Sequence, residues 1–142
     1  MYKPLPNCLT IKKSPIEGLG LYAKETIEAN CFIGITHIQD KDFDNGYIRT
    51  PIGGFYNHSN EPNVRRVVSD TLTKLKCGYP IDESLYITKI TDGKASRENL
   101  YPKVEGKYMF IVSIKNIKAG EELTANYNLY TYPKTGIGLQ SF

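Results

Sequence analysis

The sequence is a succession of short β-prone runs, and no window keeps the 3.6-residue apolar period of an amphipathic helix beyond about two turns. Clusters of Gly, Pro, Asp and Asn separate the runs and favour turns. The runs are Leu9–Ile11, Leu19–Ala23, Cys31–Ile38, Val64–Val68, Leu85–Ile90, Tyr108–Ile114 and Glu122–Tyr127. We therefore predict a mainly β fold with many short strands and little helix. The pattern argues against a doubly wound fold, in which strands alternate with long helices.

Length and composition are those of an ordinary single-domain protein. The 142 residues suit one core, and the 40% hydrophobic and 23% charged residues lie near the usual globular fractions. The net charge of +3 is too small to favour direct contact with nucleic acid or with an anionic membrane. No apolar run reaches the roughly 18–20 residues of a membrane span. The first residues lack the apolar core of a signal peptide, so we expect an intracellular protein, in the cytoplasm or nucleus.

Cysteine and histidine are too few and too scattered to predict a metal site or a disulfide framework. The three cysteines, Cys8, Cys31 and Cys77, are widely spaced, and no C-x-x-C occurs. The two histidines, His37 and His58, add no ligand pattern. We predict no bound metal and three reduced, mostly buried thiols.

Three separated segments are informative when they are taken together. Gly18-Leu19-Gly20 lacks the third glycine of a dinucleotide-binding turn, so alone it indicates only a turn. The second segment, 54–63, contains N-H-S-N-E-P-N, and the third, 114–127, contains G-E-E-L-T-A-N-Y. In this order they resemble the SET domain of protein lysine methyltransferases, over residues 10–38, 52–68 and 108–130. The short chain also resembles the small stand-alone SET proteins of viral or phage type.

The resemblance implies one SET domain over 1–142, with several short-stranded sheets and a knot-like C-terminal segment. Its expected parts are the N-terminal SET part 9–38, a short insert 39–56, the N-H-S segment 57–68, a variable insertion or flap 69–107, the C-terminal SET part 108–130 and a tail 131–142. Asn30 stands where the family often has Gly, and Asn also tolerates a left-handed turn conformation.

The resemblance further implies S-adenosylmethionine as cofactor, S-adenosylhomocysteine as its product, and Tyr127 as the catalytic residue. The residues expected to bind the cofactor are Gly18, Leu19, Gly20, Tyr47, Asn57, His58 and Tyr127. In this interpretation the glycines let the backbone approach the amino-acid end of the cofactor, which a Cβ would obstruct. The residues alone leave other interpretations open: the glycines as turn residues, Asn57-His58 as a hydrogen-bonded core turn, and Tyr47 as core packing.

The resemblance places Tyr22, Tyr56, Ala125 and Tyr130 along a substrate lysine channel, with Tyr22 alternatively in the core. Ala125 stands where some members carry a Phe or Tyr that limits methyl number, so we predict di- or trimethylation. Many members close the channel with a Cys-rich zinc cluster, and no cysteine follows Tyr127 here. We expect aromatic residues of the C-terminal segment to supply the wall, unless that segment is a frayed tail. The candidates are Tyr130, Tyr132 and Phe142.

Together these features predict a protein-lysine N-methyltransferase that acts on a protein or peptide substrate, with a histone as one candidate. The acceptor amine must be neutral, although free lysine has a pKa of about 10.4. A low-dielectric channel and a nearby sulfonium would both lower that pKa, and alignment would supply the rest of the rate. The alternatives are a catalytically weak SET-like peptide-binding module and a cofactor-free structural domain. We expect a monomer or homodimer.

Overall fold

A computed structural model describes residues 5–40, 46–69, 77–81, 86–90, 108–127 and 129–133. Ten strands and no helix occur in these ranges, which confirms the mainly β prediction. The strands are β1 (Leu9–Lys13), β2 (Leu19–Ala23), β3 (Phe32–Gln39), β4 (Tyr47–Arg49), β5 (Asn57–His58), β6 (Val64–Ser69), β7 (Tyr86–Ile90), β8 (Tyr108–Ser113), β9 (Thr124–Ala125) and β10 (Leu129–Pro133). Within the same ranges, no helix is long and apolar enough to cross a membrane.

Strands β1 and β2 form an antiparallel hairpin that carries the glycine segment at its turn. Their register runs from Leu9 opposite Ala23 to Lys13 opposite Leu19. The backbone N–H of Ser14 donates to the carbonyl of Gly18 at 2.8 Å and closes the turn. Gly18 has a φ of +48°, in the left-handed region that an L side chain rarely adopts. The hairpin therefore holds the Gly18–Gly20 backbone in a fixed, tightly turned conformation.

The larger sheet has the order β4-β3-β8-β6-β10-β7. Its middle is the least exposed part of the protein: Met109 to Val112 in β8 and Val67 and Val68 in β6 are all 0% exposed. A strand covered on both faces has no need of alternating polar residues, which is why the sequence of β8 is an almost unbroken apolar run. Strand β3 pairs with β8 with two register shifts, between Phe32 and Gly34 and between Ile35 and His37.

The C-terminal part of the chain returns to the sheet beside strands that precede it by about half of the sequence. Strand β9 pairs in parallel with both β5 and β6. Strand β10 pairs in parallel with β6 and antiparallel with β7. The sequence predicted one strand over Glu122–Tyr127, but only Thr124–Ala125 is strand, and β10 was not predicted. The parallel neighbours come from distant segments, so no local signal indicates them.

Two of the three cysteines contradict the prediction of reduced thiols. Cys8 and Cys77 form a disulfide across a sequence separation of 69 residues, and Cys31 is a buried free cysteine. Cys8 belongs to the core cluster that also contains Cys31, and Cys77 packs against that cluster. The pairing depends on tertiary packing rather than on a local spacing pattern. The prediction for Asn30 is confirmed, since its φ is +60°.

Candidate active site

The site forms where the C-terminal segment lies against the N-H-S segment. Asn57 stands opposite Thr124 and His58 opposite Ala125 in the parallel pairing of β5 with β9. Asn63 also joins these two segments. Its side-chain amide donates to the carbonyl of Glu122 at 2.8 Å, and its Oδ1 accepts from the N–H of Thr124 at 2.9 Å. These contacts bring Tyr127 beside Asn57 and His58, as the resemblance implied.

His58 holds the backbone of Tyr127. The N–H of Tyr127 donates to Nδ1 of His58 at 3.0 Å, and Nε2 of His58 lies 3.3 Å from Oδ1 of Asn60. Because Nδ1 accepts this hydrogen bond, the ring proton lies on Nε2, which can donate to Asn60. The two rings pack with their centroids 5.1 Å apart. His58 therefore orients Tyr127 through the backbone and through ring packing.

The phenol of Tyr127 is fixed at its other end by Tyr56. Its hydroxyl donates to the backbone carbonyl of Tyr56 at 2.7 Å, and the two rings meet edge to face at 5.8 Å with an interplanar angle of 85°. Tyr56 is 6% exposed, so this acceptor lies on a rigid, packed residue. The hydroxyl of Tyr127 is consequently held at a defined point of the site.

A second cluster joins Asn57 to the glycine turn. Nδ2 of Asn57 lies 2.8 Å from Oε2 of Glu122, 3.1 Å from Oγ of Ser14, and 3.3 Å from the carbonyls of both Glu17 and Leu19. The hydroxyl of Ser14 donates to the Glu122 carboxylate, with distances of 2.9 and 2.8 Å to its two oxygens. Acceptor oxygens and one carboxylate thus converge on the amide of Asn57, which gives this end of the site a negative character.

Gly20 leaves space that the carboxylate of Glu122 occupies. A Cβ built on Gly20 would lie 2.3 Å from Oε2 and 2.9 Å from Cδ of Glu122, closer than any real contact. From the resemblance, we expected Gly20 to let the backbone approach a bound cofactor closely. The structure shows a residue of the chain itself in the space that a Cβ would take.

A cavity of about 80 Å³ opens beside Tyr127. Its lining consists of His37, Arg49, Gly53, Gly54, Tyr56, Arg66 and Tyr127. Burial, followed by the charges of Arg49 and Arg66, lowers the pKa of His37 from 6.5 to about 3, so His37 is neutral at physiological pH. Its Nδ1–H donates to Oγ1 of Thr36 at 2.9 Å, because that hydroxyl itself donates to the carbonyl of Met109.

The predicted site residues divide into two groups by position. Gly18, Leu19, Gly20 and Asn57 lie at the negative cluster, while His58, Tyr56 and Tyr127 lie at or beside the cavity. Tyr22 joins the first group, because its hydroxyl donates to the carbonyl of Lys13 at 2.9 Å and lies 3.5 Å from Glu122. Burial and then the charge of Glu122 raise the pKa of Tyr22.

Other predicted residues lie elsewhere. Tyr47 is 8% exposed and packs edge-on against His37 at 6.3 Å, which matches the core-packing alternative. Ala125 is 0% exposed within the core cluster and is absent from the lining of the cavity described above. The side chains of Tyr130 and Tyr132, and the whole of Phe142, lie outside the described residues.

Sequence reasoning missed four residues of the site: Ser14, His37, Arg66 and Glu122. Glu122 was visible as part of G-E-E-L-T, but nothing local indicates that its carboxylate turns inward to Asn57. Arg66 follows Arg65 and has the sequence pattern of a solvated basic pair, whereas it is only 2% exposed. Among the described residues, no group of three or more His, Cys, Asp and Glu side chains could hold a metal ion.

Residues 36–128 match the family model of the SET domain, which is more than half of the chain. The chain therefore belongs to the SET domain family, whose members are generally lysine methyltransferases. No curated protein matches the sequence significantly. Among solved structures, the chain is similar to a "putative histone methyltransferase" of Plasmodium falciparum, with a TM-score of 0.47 and 19% identity, covering 84% of this chain and 96% of that one. A similarity of this strength does not bear on activity.

Proposed function

We propose that this SET domain is a protein-lysine N-methyltransferase that uses S-adenosylmethionine. The observation that carries the proposal is that Tyr127 lines the cavity and is held there by His58 of the N-H-S segment, which lies 69 residues earlier in the chain. Family membership gives the class of reaction, and this arrangement provides a place for it.

The negative cluster has the chemistry to hold the cofactor. The α-ammonium and the sulfonium of the cofactor are cationic, whereas its α-carboxylate is anionic. For the ammonium, the chain offers the carboxylate of Glu122 and the carbonyls of Glu17 and Leu19 around Asn57. When bound, the cofactor supplies a methyl group on a positively charged sulfur, which a neutral amine can displace. The residues present therefore fit the ammonium of the cofactor, with the acceptor oxygens around Asn57 as its contacts.

Tyr127 is the residue that we assign to the reacting centre. Its phenol is fixed by the carbonyl of Tyr56, its backbone by His58, and its ring forms part of the cavity wall. A preorganised polar group at a partly water-excluded cavity can align an amine and exclude solvent, which is worth several kcal/mol in well-oriented reactions. The positive charges of Arg49 and Arg66 in the lining disfavour an ammonium in the cavity, which favours the neutral lysine amine that the transfer needs.

The substrate that we propose is a lysine on a protein, with histones as the first candidates. The predicted di- or trimethylation rested on open space beside Ala125, whereas the described cavity is lined by other residues. The number of methyl groups is therefore best taken from the reaction products. The viral or phage type of SET protein is likewise a proposal that rests on the short chain and its motifs alone.

The test is transfer of labelled methyl from S-adenosylmethionine to core histones and, separately, to proteins of a cell lysate. Wild type is compared with Tyr127→Phe, which removes one hydroxyl and keeps the ring packing against Tyr56 and His58. We expect label on a protein band with wild type and at least a tenfold slower transfer, of order 1.4 kcal/mol, with the variant. Thermal shift with S-adenosylhomocysteine runs in parallel, because a ligand that binds only the folded state raises the melting temperature.

The outcomes separate the candidate functions. A thermal shift with no transfer to any acceptor would favour the peptide-binding module over the enzyme. Absence of both would leave a structural domain and refute the proposal. Equal transfer by wild type and Tyr127→Phe, with equal cofactor affinity, would remove Tyr127 from its assigned role.

A further inference from the structure

Arg66 is a fully enclosed cation at the edge of the candidate active site. It is 2% exposed and is among the largest completely buried side chains of the described residues. Burying a guanidinium is costly unless its donors reach acceptors in the interior. A position this deeply buried in a strand is ordinarily apolar, so the presence of a charge there calls for a functional explanation.

The side chain of Arg66 is directed to Tyr127. A terminal guanidinium nitrogen donates to the backbone carbonyl of Tyr127, and Cζ lies 5.1 Å from the centroid of the Tyr127 ring. Arg66 therefore contacts the same tyrosine twice, once through its backbone and once across its aromatic face. A planar cation above an aromatic ring is attracted by the ring quadrupole, and more strongly where water is excluded.

The contact matters because Tyr127 lies outside the regular strands. Strand β9 ends at Ala125 and β10 begins at Leu129, so Tyr127 belongs to neither strand. Tyr127 is held by hydrogen bonds from its N–H to His58, from its hydroxyl to the carbonyl of Tyr56, and from Arg66 to its own carbonyl. Two of these restrain the backbone, and the guanidinium adds a restraint on the tilt of the ring.

We propose that Arg66 is a positioning residue that fixes the phenol of Tyr127 on the wall of the cavity; this inference rests on the methyltransferase function proposed above. Without Arg66, the carbonyl of Tyr127 loses a donor and the ring loses one flat neighbour, so the phenol can tilt away from Tyr56. A displacement of about 1 Å in an aligned reaction can cost on the order of 100-fold in rate.

Arginine suits this task better than lysine. Its guanidinium is planar and presents several donors in a fixed fork, so it can donate to the carbonyl while lying over the ring. A lysine ammonium is a compact point charge that can do one of these but does not stack. Arg66→Lys therefore keeps the charge and part of the hydrogen bonding, and Arg66→Met keeps the approximate length and removes both.

The first experiment compares single-turnover methyl transfer by wild type, Arg66→Lys and Arg66→Met. The matched control is Arg65→Lys, an adjacent arginine of β6 that is absent from the lining of the cavity. We expect Arg66→Met to lower the rate by about 10- to 100-fold, Arg66→Lys to recover part of it, and the control to stay within about twofold. Affinity for S-adenosylhomocysteine should change less than about threefold in every variant.

The second experiment is independent of turnover. Fluorine NMR of protein labelled with 3-fluorotyrosine gives a Tyr127 resonance, assigned by its loss in Tyr127→Phe. We expect that resonance to shift and broaden in Arg66→Met, to recover partly in Arg66→Lys, and to be unchanged in Arg65→Lys. Melting curves accompany each variant, and Arg66→Lys decides the question where Arg66→Met fails to fold.

The two experiments keep the inference distinct from the proposed function. If wild type transfers no methyl group, the proposed function fails, and the fluorine spectra still decide whether Arg66 holds Tyr127. If Arg66→Met or the folded Arg66→Lys variant leaves both the rate and the Tyr127 resonance as in wild type, the positioning role is refuted. A loss of rate that follows a loss of cofactor affinity alone would also overturn it.

Discussion

Replacing Gly20 by alanine tests the carboxylate cluster most sharply. The added methyl group would lie 2.3 Å from Oε2 of Glu122 and 3.1 Å from Cβ of Ser14, and the φ of Gly20 lies outside the left-handed region. The penalty is therefore steric and local rather than a matter of backbone conformation. Since the nearest atoms belong to a side chain held by hydrogen bonds, the carboxylate must move by roughly 1 Å to reach a normal contact distance.

The expected cost follows from the hydrogen bonds that such a movement breaks. The carboxylate accepts from Nδ2 of Asn57 at 2.8 Å and from Oγ of Ser14 at 2.8 Å. Hydrogen bonds to a charged group contribute about 1.5–3 kcal/mol each, and water can replace part of them because Glu122 is only partly buried. We expect Gly20→Ala to lower the free energy of unfolding by about 2–4 kcal/mol and to weaken cofactor binding.

Urea unfolding with matched variants measures this cost. Gly54→Ala is the control, because a Cβ there would meet its nearest atoms at 3.7–3.9 Å, an ordinary contact distance. In the background of Glu122→Ala, which removes the obstructing carboxylate, Gly20→Ala should cost less than about 1 kcal/mol. The reasoning is refuted if Gly20→Ala costs the same with and without Glu122, or no more than Gly54→Ala.

Three further predictions concern stability. Unfolded histidine takes up a proton near pH 6.5, whereas the pKa of folded His37 is about 3, so the free energy of unfolding should fall by about 2 kcal/mol from pH 7 to pH 5. Urea unfolding at the two pH values should show a smaller fall for His37→Gln than for wild type. An equal fall would contradict the assignment to His37. Reduction of the Cys8–Cys77 disulfide should remove about 4 kcal/mol, given the long loop that it closes; a melting temperature unchanged by dithiothreitol would indicate reduced thiols. Gly53→Ala should cost about 1–3 kcal/mol, because the new Cβ would lie 2.1 Å from the backbone oxygen of Thr36; a wild-type melting temperature would refute this.

The strands of the central sheet could be predicted from the sequence because their signal is local. Runs such as Cys31–Ile38 and Tyr108–Ile114 are rich in apolar and β-branched residues, and β3 and β8 lie within one residue of those bounds. The end of the chain could not be predicted in this way. Strand β10 pairs with β6 and β7, so its conformation depends on partners far away in the sequence.

The part of the site that family motifs mark could be predicted from the sequence, because those motifs come from segments that meet in the fold. The resemblance placed Tyr127 near Asn57 and His58, and the contacts in the structure agree. The inward turn of the Glu122 carboxylate and the burial of Arg66 could not be predicted, because a charged side chain is usually solvated and only the folded packing shows where it turns inward. Tyr47 and Ala125 differ from the expectation in the other direction. The resemblance implied that they line the site, and the structure places both in the buried core.

The most direct test of the proposed function is tandem mass spectrometry of the acceptor after reaction with S-adenosylmethionine. The predicted result is a methyl group on the side-chain nitrogen of a lysine, formed by wild type and formed at least tenfold more slowly by Tyr127→Phe, while both proteins bind S-adenosylhomocysteine with similar affinity. The number of methyl groups on that lysine gives the product state at the same time. Methylation at any other atom, or no methylation by a protein that binds the cofactor, would contradict the assignment of this chain as a lysine methyltransferase.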